Sequence, residues 1–79
     1  MFELQEIALP PASALVYREA DWRDALVLLE VGEIDLETVS GARRRVYTGD
    51  VFWLVGLPLR ALHNAGTEAA VLVAVSRMR

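Results

Sequence analysis

Hydrophobic and polar residues in this chain come in short blocks, separated by turn-forming residues about every 8–12 positions. That spacing is typical of all-β sandwiches and barrels. Phe2–Leu9 reads as a first extended segment, closed by Pro10-Pro11, and residues 14–18 as a second. Glu19-Ala20-Asp21 opens a polar turn that leads to Trp22 and Asp24. Residues 25–31 predict the next strand, which Gly32 interrupts. Residues 33–39 alternate: Glu33, Asp35 and Glu37 point one way, and Ile34, Leu36 and Thr38 the other. This is the pattern of a half-buried strand with a wet acidic face.

Ser40-Gly41 turns the chain, and residues 43–48 run back alongside. A three-residue loop with Gly41 at positive φ sets Glu37 opposite Arg43 and Asp35 opposite Arg45. The Arg43-Arg44-Arg45 run then balances charge on a solvated hairpin, with anion binding as its other reading. Gly49-Asp50, Gly56-Leu57-Pro58 and Asn64-Ala65-Gly66 mark further turns, separating predicted strands at 51–55, 60–63 and 69–76. The last of these is rich in alanine, but its valines and its length favour a buried strand over a helix. No segment carries a sustained helical period.

Two blocks bear on association. Residues 25–29 are apolar on both faces, so the outer face calls for cover from a second sheet or another subunit. Phe52 and Trp53 are adjacent on one strand, so one points inward and the other outward, where Trp suits a subunit interface.

Composition narrows the function. A length of 79 residues fits one domain spanning the whole chain, 1–79. Its core is thin, and 54% hydrophobic residues is high for a small monomer, so a homodimer is expected. The absence of cysteine excludes disulfides, thiolate catalysis and Cys-based zinc sites. A net charge of −3 argues against a nucleic-acid partner. The first residues lack the basic and apolar regions of a signal peptide, and no apolar run is long enough to span a membrane. The default expectation is a cytoplasmic protein with no membrane partner. Neither a serine nucleophile elbow nor a phosphate loop, zinc-protease helix or EF-hand is present.

Three stretches together resemble the core of a cupin: Val31-Gly32-Glu33-Ile34-Asp35-Leu36, Gly49-Asp50-Val51-Phe52-Trp53-Leu54 and Asn64-Ala65-Gly66-Thr67-Glu68. The second cupin motif runs Gly, five residues, Pro, one, Gly, two, His, three, Asn. Gly49 and Asn64 fit its ends without a gap. Between them, Val55 and Leu57 replace the Pro and Gly, and Arg60 replaces the metal-binding His; a Gly and a Pro survive one position later, as Gly56 and Pro58. In the first motif Gly32 fits the closing Gly, which puts Ala25 at the Glu position. The two upstream histidines fall on Glu19 and Asp21, or on Arg18 and Ala20.

The resemblance implies an all-β jelly-roll barrel of cupin type in which none of the four metal ligands is present as the family writes them, so neither metal nor other cofactor is expected. The family's inward register would have Arg60, Leu62 and Asn64 facing the interior and the lone histidine, His63, facing out. An inward Arg60 favours a small anionic ligand, held with Phe52 or Trp53, Leu62 and Asn64 around it. Alternatively, Arg60 lies at the barrel mouth and pairs with Glu19 or Asp21. Three functions follow: a metal-free binding module, an enzyme, or a structural protein whose interior is filled by side chains. The enzyme would either rebuild a metal site from Glu19, Asp21 and His63 or work metal-free, as an isomerase-like cupin. The sequence leans away from an enzyme.

Overall fold

Eight strands and one helical turn make up residues 1–77, the part of the chain described by the computed structural model. The strands are β1 (Phe2–Leu9), β2 (Ser13–Val16), β3 (Leu26–Val31), β4 (Glu33–Thr38), β5 (Arg43–Tyr47), β6 (Val51–Trp53), β7 (Leu59–Asn64) and β8 (Ala70–Arg77). The helical turn, α1 (Glu19–Trp22), stands where the sequence predicts only a polar turn. Four residues are too few to show a helical period. α1 drops Trp22 into the core, where it stacks on Tyr17 with ring centroids 6.2 Å apart.

The strands pair antiparallel in a nested series: β1 with β8, β2 with β7, β3 with β6 and β4 with β5. This is one long hairpin rolled on itself, the jelly-roll arrangement. Rolling yields two four-stranded sheets, β1-β8-β3-β6 and β2-β7-β4-β5. Their inner faces share a single core that includes Val27, Leu29 and Leu72 from the first sheet and Ile34, Leu36 and Leu62 from the second.

The chain passes from β3 in the first sheet to β4 in the second at Gly32, whose φ of 104° favours glycine. A Cβ there would sit 3.0 Å from the Ala70 Cα, so packing as well as backbone geometry requires a glycine. The Thr48 hydroxyl clamps this corner, donating to the Gly32 carbonyl and accepting from the Gly32 N–H, each at 2.9 Å. The Val39-Ser40-Gly41 turn and its register are as the sequence predicts: Gly41 has φ 91°, Asp35 faces Arg45 and Glu37 faces Arg43.

Candidate ligand site

The sandwich is open along both sides, because neither pair of edge strands closes. The seam between β1 and β2 is a groove of about 710 Å³, with Ile7, Leu15 and Trp22 in its walls. At its rim the Arg23 guanidinium donates to the Glu3 carboxylate. The seam between β5 and β6 holds a smaller cavity of about 310 Å³, walled largely by Leu36, Val46, Phe52, Leu57 and Leu59. Between the seams the interior is filled by side chains, with Val27, Leu29, Ile34, Leu62 and Leu72 fully buried.

Arg43, Arg44 and Thr38 supply the polar part of the β5–β6 cavity lining, and the exposed Arg44 is the one of the two arginines without an acidic partner among the described residues. Arg44 lies opposite Leu36 in the β4–β5 ladder, so it shares the inward-directed side of β5 with Val46, while Arg43 and Arg45 share the outer side. Arg45 pairs with Asp35 and Glu33, and Arg43 with Asp35. Among the described residues Arg44 has no carboxylate partner. An unpaired guanidinium beside an apolar wall is a ready anion anchor. In the sequence the three arginines form a single run. Counting by twos back from Val46 would have singled out Arg44.

The predicted site residues separate. Phe52 and Trp53 both line the β5–β6 cavity; Phe52 packs on the core, and Trp53 is exposed, its indole N–H donating to the Asp24 carbonyl at 3.1 Å. Arg60 does not face the interior, contrary to the register expected from the family. The β4–β7 ladder slips by one residue, pairing Glu37 with Ala61 and Thr38 with Leu59, and this leaves Arg60 as the extra residue. Leu59 turns inward in its place. Arg60 lies on the outer face, donates to the Val39 carbonyl at 3.1 Å and approaches Glu37 at 3.9 Å, rather than pairing with Glu19 or Asp21.

Leu62 and Asn64 do face inward, but neither lines this cavity. Leu62 is core. Asn64 is buried with its amide fully used: it donates to the Leu9 and Glu68 carbonyls at 3.0 and 2.8 Å and accepts from the Gly66 N–H at 3.0 Å. It ties the end of β7 to the end of β1 and shapes the following turn.

His63 faces outward, as its register predicts. Its Nε2 donates to the Glu37 carboxylate at 2.7 Å on the outer face of the second sheet. That hydrogen bond, with the nearby Arg43 and Arg60 charges, holds the Glu37 carboxyl below its usual range. The Arg45 hydrogen bond does the same for Asp35.

A metal of the kind the family holds does not fit these residues. Ala25 is buried at the Glu position, Arg60 points away, and Glu19 and Asp21 lie on α1. No group of three or more His, Cys, Asp or Glu side chains that could hold a metal ion occurs among the described residues, so Glu19, Asp21 and His63 do not rebuild the site.

The nested pairing and the two sheets define a cupin-type jelly roll. Comparison with solved structures agrees: the chain is similar to the crystal structure of a Cupin 2 conserved barrel domain protein from Salinispora arenicola CNS-205, with a TM-score of 0.72 and 25% sequence identity. The match covers 94% of this chain and 60% of that one, so the chain spans less than two thirds of that protein's length. No protein-family model matches the chain, and no curated protein does. No helix among the described residues is long and apolar enough to cross a membrane.

Proposed function

We propose that this cupin-type barrel is a metal-free binding module that takes a small, largely apolar anion into the β5–β6 seam. The observation that carries this reading is the unpaired Arg44 beside an apolar cavity of about 310 Å³. That volume is near the lower end for small-molecule sites. A carboxylate would meet the Arg44 guanidinium in a two-pronged contact, while its hydrocarbon or aromatic body lies against Phe52, Leu36 and Leu57. No reaction is assigned, because the described residues that line the cavity include no carboxylate, histidine or tyrosine to act as acid or base.

The test is calorimetric titration with octanoate and benzoate, each alongside the alcohol of matching size. Carboxylates should bind at least about tenfold tighter than the alcohols, and Arg44→Gln should remove the difference. Arg60→Gln should leave it intact. Failure of both acids to bind, or binding indifferent to Arg44→Gln but lost in Arg60→Gln, overturns the proposal.

A further inference from the structure

One bank of the β5–β6 seam is a strand edge with main-chain groups to spare. β5 is the last strand of its sheet and pairs with β4 on one side only. At the turn that joins them the Thr38 N–H donates to the Ala42 carbonyl at 2.9 Å. Antiparallel ladders alternate bonded and unbonded pairs, so Leu36–Arg44 and Ile34–Val46 exchange hydrogen bonds, and Glu37–Arg43 and Asp35–Arg45 do not. The main-chain N–H and C=O groups of Arg43 and Arg45 therefore point away from β4, toward the seam. Tyr47, next in that series, uses its own groups locally. Its N–H donates to the Asp50 carboxylate at 2.8 Å, and its carbonyl accepts from the Asp50 N–H at 2.9 Å. The side chains alternate along the same edge: Arg44 and Val46 on the cavity side, Arg43 and Arg45 on the outer side with Asp35.

We infer that the anion taken by this seam is the C-terminus of an extended peptide, added to β5 as a short extra strand. The inference rests on the ligand reading above and names what carries the carboxylate. Three features select such a partner. First, the free N–H and C=O groups of Arg43 and Arg45 match the main chain of an extended segment, for which a simple fatty or aromatic acid has no counterpart. Second, the terminal carboxylate complements Arg44, which has no acidic partner among the described residues. Third, the cavity of about 310 Å³ beside Arg44 takes one large apolar side chain, the last of the peptide, against Phe52, Leu57 and Leu59. A strand on β5 puts alternate side chains on the cavity side, so the terminal residue turns in while the penultimate one turns out beside Arg43 and Arg45. A second copy of β5 does not suit this edge, because pairing it with itself would set three arginines against three.

The test compares three probes by calorimetric titration: the N-acetylated peptide Ala-Thr-Glu-Phe with a free C-terminus, the same peptide as its C-terminal amide, and N-acetylphenylalanine. The free-acid peptide should bind at least about tenfold tighter than either of the others. Arg44→Gln should remove its advantage over the amide; Arg44 is exposed, so this change leaves the fold intact. Amide hydrogen exchange read by NMR adds a signature that a ligand held in the cavity alone does not move. The Arg43 and Arg45 amides should exchange fast in the free chain and with benzoate, and at least one of them should slow about tenfold or more with the peptide. A peptide that binds no tighter than N-acetylphenylalanine, or that binds without slowing either amide, overturns the inference. In that case benzoate binding that still depends on Arg44 leaves the ligand reading standing. Failure of benzoate, octanoate and the peptide alike overturns both.

Discussion

The two sheets present matching faces to each other and opposite faces to the outside. Inward, both offer leucine, valine and isoleucine to one core. Outward, β1-β8-β3-β6 carries Leu4, Leu26, Leu28, Val51 and Trp53, whereas β2-β7-β4-β5 carries the ladder of Asp35, Glu37, His63, Arg43 and Arg45. The difference separates two jobs that one composition figure merges. Residues on the shared inner faces hold the barrel together. The excess of apolar residues lies on one outer face, where it adds nothing to the isolated barrel and is available for association.

The comparison can be broken first at the core. Leu29→Ala and Leu62→Ala remove one fully buried leucine from each sheet, and each should cost about 2–5 kcal/mol in urea unfolding. A near-neutral result on one side alone would mean that the sheets do not share one core. The next largest effects should come from Asn64→Ala and Gly32→Ala. Removing the Asn64 amide strands the Leu9 and Glu68 carbonyls, at a cost of about 1–3 kcal/mol. Gly32→Ala meets both a positive φ and the Ala70 Cα, at a similar cost. Loss of Asn64 should also raise amide exchange in β1 near Leu9, since it releases the first sheet from the second.

Smaller effects should come from the charged outer face. Folding keeps Glu37 and Asp35 ionised to lower pH than in the unfolded chain. As pH falls, the unfolded chain therefore takes up protons first. The stabilisation is fully present above the ordinary carboxylate range and is lost as pH drops through the lowered folded values. His63→Gln should flatten this acid-limb loss, measured as the pH dependence of the unfolding midpoint. Arg45→Gln should flatten the Asp35 part. The smallest effect is expected from Glu33→Gln, whose contact with Arg45 is long and exposed.

Much of this architecture is legible in residue order. The alternation of residues 33–39 gives both faces of β4, and the turn at Gly41 fixes the Asp35–Arg45 and Glu37–Arg43 register. The doubly apolar stretch around Leu26 and Leu28 announces a face that the second sheet does not cover. What residue order hides is local irregularity. A one-residue slip in β7 turns Arg60 outward and brings Leu59 in, and nothing in the composition of that strand marks the slip. The cupin resemblance points to Arg60 because that position carries a metal ligand in the family's motif. Arg44, exposed but on the Val46 side of β5, sits within a run of three arginines whose outer two have acidic partners.

The nested pairing also has a mechanical meaning. Phe2 and Arg77 are register partners, so the two ends of the described chain leave the fold side by side. Force applied there peels β1 from β8 with the ladder bonds loaded one after another. Each bond breaks alone, so the barrel should open at low force from its ends. Handles placed on β1 at Phe2 and on β8 at Ala70 would instead draw the same two strands past each other lengthwise, sharing the load across the whole ladder, and should resist far more strongly.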